Sequence, residues 1–172
     1  ARIAAATGAR LAGEPRKARA GRGAGRPFVQ RVPYFGEAAE AFLAGVAQLV
    51  LVESRVPVNF FGYPGRRGQP LPPDAAVSTL AMPAEDGSAA LIALAERLAP
   101  GSSVPLPSFT LPDRPQGPIN AVSFAAALAR RLPEHAIYCD EAITAGLALP
   151  AVMAGAAPHD EGKAIYHGHP AE

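Results

Sequence analysis

Six prolines fall within residues 100–118 (positions 100, 105, 107, 112, 115 and 118). A stretch this dense in proline can neither continue a helix nor serve as a central strand. It divides the 172-residue chain into a segment 1–99, an extended connection 100–118 and a segment 119–172,. Neither side can hold a bulky core. The chain is 49% hydrophobic, but much of that is alanine, aromatic residues are 6% and there is no Trp. A thin, helix-rich interior is expected, with enough apolar material to exclude disorder.

Helix and strand patterns alternate along the first segment. Residues 1–9 are helix-compatible up to Gly8, and Arg10-Leu11-Ala12 begins an apolar step,. Residues 37–48 place Ala41, Phe42, Gly45 and Val46 on one helical face, and Leu49-Val50-Leu51-Val52 follows as a run suited to a parallel strand buried on both faces,. A loop rich in Pro and Gly leads to a second short strand at 76–80. A helix at 88–98 then follows, capped by Asp86 and carrying Ala90, Leu91, Leu94 and Leu98 inward,. Beyond the prolines, Asn120 caps a helix reaching Leu132, and Ala136-Ile137-Tyr138-Cys139 reads as a strand with Cys139 buried,. This alternation predicts an α/β fold with a doubly wound parallel sheet.

Composition narrows the function classes. A net charge of +1 gives no global field for nucleic acid or an anionic membrane,. One cysteine rules out an internal disulfide framework and fits a cytoplasmic setting,. The longest mainly apolar stretch, residues 146–158, is too short to span a bilayer,. The chain opens without Met inside a helical pattern and reads as a segment of a longer protein.

Eight of the 16 Lys and Arg precede residue 32, concentrated in the Gly/Arg-rich stretch 16–26, which reads as a flexible solvated loop,. It lacks the interleaved aromatics of an RNA-binding segment, and its glycines do not have the spacing of a dinucleotide fingerprint. His135, His159, His167 and His169 share no spacing typical of metal ligands, and no G-x-S-x-G elbow supports a hydrolase triad,. The turn Asp140-Glu141-Ala142-Ile143-Thr144-Ala145-Gly146 follows a strand and enters a helix. There, free N–H groups and the Thr144 hydroxyl can receive an anion at the carboxyl end of the sheet, the bland alternative being a plain helix cap.

The order of segments carries a resemblance. Arg22-Gly23-Ala24-Gly25-Arg26-Pro27, Val32-Pro33-Tyr34-Phe35, Leu49-Val50-Leu51-Val52 and Pro57-Val58-Asn59-Phe60-Phe61-Gly62-Tyr63-Pro64-Gly65 come first. Ala84-Glu85-Asp86, Leu132-Pro133-Glu134-His135-Ala136-Ile137, the 140–146 turn and His159-Asp160 follow. Together they resemble thiamine diphosphate enzymes of the acetolactate synthase large subunit type, relatives of benzoylformate decarboxylase. The resemblance implies a Rossmann-like middle domain at 1–99 lacking its first strand, a linker at 100–118, and at 119–172 the start of a second α/β domain that binds thiamine diphosphate.

It also implies that Glu141, Ala142, Ile143 and Thr144 contact the diphosphate. Gly162-Lys163-Ala164-Ile165-Tyr166-His167-Gly168-His169-Pro170-Ala171 would be the turn under the aminopyrimidine, with Ala164 and Ile165 against the cofactor. Lys163 and Tyr166 stand where the family pattern has glycine,. The activating glutamate and the Mg2+ ligands would lie outside this chain, so the segment alone would be an inactive part of a 2-keto acid decarboxylase or carboligase. The complete protein would be a homodimer or homotetramer binding neither nucleic acid nor membrane. The competing class is a non-catalytic Rossmann-like nucleotide-binding or scaffold module.

Overall fold

The computed structural model describes residues 1–15, 19–62, 64–142 and 144–163. In chain order the elements are α1 (Arg2–Thr7), β1 (Ala12–Gly13), β2 (Arg19–Arg22), β3 (Gln30–Arg31), α2 (Gly36–Leu43), β4 (Gln48–Val52), β5 (Ala76–Ala81) and α3 (Gly87–Leu98). Then come α4 (Ala121–Ala129), β6 (Ile137–Asp140), a 3-10 turn (Ala145–Ala148), α5 (Leu149–Val152) and β7 (His159–Lys163). They form two compact units, Ala1–Pro15 with Val29–Val104, and Arg16–Phe28 with Pro105–Glu172. The division falls inside the proline-rich stretch, whose residues 102–116 form neither helix nor strand. From Pro105 onward this stretch belongs to the second unit, where the Pro107 carbonyl accepts from the Gly25 N–H and the Thr110 N–H donates to the Gly155 carbonyl, both at 2.8 Å.

The first unit is α/β with parallel pairing, compatible with a Rossmann-like domain. β1 pairs with β3, and β4 with β5. Local chemistry explains its helix ends. Gly8 closes α1 at φ 73, a left-handed conformation that glycine adopts without a Cβ penalty,. The Asp86 carboxylate accepts from the Ala89 N–H at 2.9 Å and opens α3 one residue earlier than the sequence pattern indicates,. The expected continuous sheet is replaced by separate two-stranded pieces. Within β4 only Leu51 is buried, so the run expected to be covered on both faces keeps Val50 exposed. A small cluster of Val32, Ala39 and Leu43, with Phe42 and Val46 against it, holds α2.

In the second unit β7 is the central strand, parallel to β6 and antiparallel to β2. Ala125, Ala129, Leu149, Met153 and Ala156 form the core beside it. α4 begins at a capping box: the Asn120 side chain accepts from the Ser123 N–H, and the Ser123 hydroxyl accepts from the Asn120 N–H,. Two expectations are corrected here. Residues 19–22 of the Gly/Arg stretch form β2 instead of a solvated loop, because their charges find fixed partners on β7. Cys139 is exposed, because the burial of β6 alternates: Tyr138 and Asp140 turn inward while Ile137 and Cys139 turn to the uncovered face,.

Among the described residues no helix is long and apolar enough to cross a membrane. Gly23 sets the close approach of β2 to the core. It has φ +89, and a Cβ there would lie 2.5 Å from the Ala157 carbonyl oxygen and 2.8 Å from that of Ala156. Gly23→Ala combines backbone strain with overlap against main chain that cannot swing aside, and should cost about 3 kcal/mol or more in urea unfolding. Gly25→Ala has the same handedness but open space around it, so it should cost visibly less.

Candidate functional site: the carboxyl end of β6 and the charged strand β7

The turn expected to receive an anion lies directly after β6. Asp140 ends the strand, 5% exposed, and its Oδ1 accepts from the Ala142 N–H at 2.8 Å, a local side-chain turn that bends the chain out of the sheet,. Gly146, in the 3-10 turn, packs so closely on this carboxylate that a Cβ would lie 2.7 Å from Asp140 Cγ and overlap both oxygens. Glycine at 146 is therefore a steric requirement of Asp140. Glu141 and Thr144 are exposed, Ala142 is half-buried, and Thr144 makes no side-chain capping bond.

Of the six residues the resemblance singled out, Glu141, Ala142 and Thr144 thus lie in one turn. Ile143, Ala164 and Ile165 lie outside the described residues, as do His167 and His169. Gly162 and Lys163, expected to open the aminopyrimidine turn, belong instead to β7. There Gly162 pairs with Cys139 on one side and Arg19 on the other, and Lys163 with Asp140. Among the described residues no group of three His, Cys, Asp or Glu side chains could hold a metal ion.

The sequence reading missed the charge cluster on β7. Strand alternation puts His159 and Glu161 on the core face and Asp160 on the opposite one. On the core face Arg22 Nε donates to Glu161 Oε2 at 2.8 Å, with side chains only 4% and 1% exposed, and the Arg22 guanidinium lies 5.2 Å from the Phe28 ring centroid. His159 is fully buried. Its Nδ1 lies 2.6 Å from the Ala157 carbonyl, so that nitrogen carries a proton,. Nε2 has no hydrogen-bond partner among the described residues, and the ring packs 5.6 Å from that of Tyr138.

On the opposite face Asp160 sits between two guanidinium groups, Arg19 at 2.5 Å and Arg26 at 2.8 Å, and Arg26 also donates to the His159 carbonyl. Three arginines at positions 19, 22 and 26 therefore meet His159-Asp160-Glu161. The signal in sequence was a charge match: the basic stretch faces one adjacent acid pair more than 130 residues away. No local pattern reaches that far.

The hydrogen bond from Arg19 holds the Asp160 carboxyl below the usual carboxylate range. Arg26 adds to this and desolvation opposes it,. The same contact raises Arg19.

No family profile matches the chain, and no solved structure does. Over 176 aligned residues it is 45% identical to a Mycobacterium tuberculosis protein named "Putative acetolactate synthase large subunit IlvX". The alignment covers 99% of this chain and 34% of that protein's length, so the chain spans about a third of the relative it matches.

Because the folded-state pKa of Asp160 is depressed, the stability it contributes is complete above its unfolded pKa and is lost as pH falls through the acid range toward the folded value. Asp160→Asn should flatten the fall in thermal stability below about pH 5 and leave the pH 6–8 plateau lower and level. A variant retaining the full acid dependence would contradict this assignment.

Proposed function

We propose that this chain is the central segment of a thiamine diphosphate- and Mg2+-dependent enzyme of the acetolactate synthase large subunit type, acting on a 2-keto acid. The observation that carries the reading is the 45% identity maintained over 99% of the chain. It is supported by a turn of suitable chemistry at the carboxyl end of β6, the position where open α/β sheets bind ligands.

The residues of that turn fit a diphosphate in part. Thr144 is exposed with its hydroxyl outside any capping bond, so it can donate to a phosphate oxygen. The Ala142 N–H is already given to Asp140 and is not available. Glu141 has an acceptor-only carboxylate, so its share in the contact would be through main chain. In this reading Thr144 is the principal donor among the described residues, Ile143 adds main chain, and Ala164 and Ile165 support the aminopyrimidine. Asp140 and Gly146 hold the turn in shape. The bound cofactor would supply the stabilised carbanion centre needed to add to a keto carbon.

The Mg2+ ligands and the group that activates the cofactor belong, in this reading, to parts of the protein outside this chain. The segment alone would have no turnover, whether the complete reaction is decarboxylation or carboligation. Cytoplasmic location and assembly as a homodimer or homotetramer belong to the same proposal.

The competing reading, a nucleotide-binding scaffold, is disfavoured by the first unit. Glu53, at the carboxyl end of β4 with φ 50, places its carboxylate on the Gly87 N–H at 2.8 Å. A protein anion therefore already holds the α3 N-terminus, where a phosphate would bind.

Calorimetric titration of the complete protein with thiamine diphosphate and Mg2+ tests the proposal. Binding is expected, and Thr144→Val should raise the Kd about tenfold, the effect of one charge-assisted hydrogen bond. No binding, or an unchanged Kd in the variant, would contradict the reading or the Thr144 assignment respectively.

A further inference from the structure

The chain passes from β1 to β3 by way of the other unit. These two strands pair in parallel, Ala12 with Gln30 and Gly13 with Arg31. A parallel pair needs a long crossover between its strands, ordinarily a helix laid on the same sheet. Among the described residues of 14–29 there is no helix. The regular element is β2, and Arg16–Phe28 belongs to the second unit. The first unit thus sends its own crossover into the sheet of the second.

That crossover is fastened at its middle. β2 pairs with β7 along Arg19–Arg22, Arg22 holds Glu161 on the core face, and Arg19 and Arg26 hold Asp160 on the other. The Ala24 N–H adds a bond to the Ala156 carbonyl at 2.9 Å. The strands it joins have little support of their own. β1 and β3 are two residues each, and none of these residues is buried. A two-stranded piece of this kind is marginal in water. Where β3 ends, the Val32 N–H still donates to the Gly13 carbonyl at 2.9 Å.

We propose that Arg16–Phe28 is a strap through which β7 of the second unit controls the β1–β3 pair of the first. While the strap is fastened, only a short span separates each of β1 and β3 from a fixed strand. Once it is released, they are joined by one free loop, whose greater conformational freedom opposes their pairing. The coupling runs along the covalent chain and is reciprocal: what tightens β7 tightens β1–β3, and the reverse. β7 is also the neighbour of β6, so the strap links the strand that leads into the 140–146 turn with the first unit. The proposal does not depend on which ligand that turn receives.

Amide hydrogen exchange on the full 172-residue chain tests this. The Val32 N–H reports on β1–β3, and the Glu53 N–H, bound to the Ala81 carbonyl at 2.8 Å, is the reference beside β4 and β5. Arg22→Met unfastens the strap, so Val32 should exchange about tenfold faster while Glu53 is unchanged. A second variant keeps the fastening and lengthens the tether. About seven Gly and Ser residues inserted between Phe28 and Val29 roughly double the span from β2 to β3. The Ala24 N–H should then keep its protection, and Val32 should exchange about threefold faster, the entropy of one doubling. The same insertion between Gln116 and Gly117, outside the strap, should leave all of these amides unchanged. Unaltered exchange at Val32 in Arg22→Met or in the insertion after Phe28 would overturn the proposal. So would equal loss of protection at Val32 and Glu53, or the same loss at Val32 from the insertion after Gln116.

Discussion

The second unit depends on a guanidinium–carboxylate pair kept from water. Arg22 and Glu161 face the core with 4% and 1% of their side chains exposed, an arrangement tolerated only when the two charges neutralise each other at hydrogen-bond distance. This pair ties β2 to the central strand β7. On the opposite face, Arg19 and Arg26 close on Asp160. Ala24 donates to the Ala156 carbonyl at 2.9 Å and Gly25 to the Pro107 carbonyl at 2.8 Å, so the segment after β2 is held by main chain as well. Charge supplies the pairing that a strand of Arg-Ala-Gly-Arg could not obtain by hydrophobic burial.

The candidate cofactor turn sits at the end of the neighbouring strand and owes its shape to a second buried carboxylate. Asp140 takes the Ala142 N–H and fills the space that a side chain at position 146 would need. Among the described residues of the turn, Glu141, Thr144 and Ala145 remain exposed. β7 thus lies between two uses of acidic residues: Asp160 and Glu161 fix a strand, whereas Asp140 shapes a turn.

Elements with local signals were legible in the sequence. Asp86 and Asn120 announced α3 and α4, because a short polar side chain ahead of an apolar period satisfies free N–H groups at a helix start,. Leu49-Val50-Leu51-Val52 announced β4, which begins one residue earlier at Gln48, and the run Ala136–Cys139 announced β6, which lies one residue further on. Burial was less legible. An apolar run does not reveal whether one face or two will be covered, so Val50 and Cys139 read as core and are exposed. β2 was illegible because two arginines and a glycine carry no strand period, and the partners that order them lie 139 and 141 residues away. The turn at 140–146 was found from chemistry and position. The Asp140 contact that withdraws the Ala142 N–H appears only in three dimensions.

The central claim is that Arg22 and Glu161 hold the Gly/Arg segment in the second unit as a buried pair, and a double-mutant cycle measures it most directly. In urea unfolding, Arg22→Met alone should cost about 3–5 kcal/mol by leaving a buried carboxylate without its guanidinium, and Arg22→Met with Glu161→Leu should recover most of that loss. A single variant costing under about 0.5 kcal/mol, the range of an ordinary surface substitution, would show that this segment is not anchored by the pair. So would a double variant whose cost is the plain sum of the two singles.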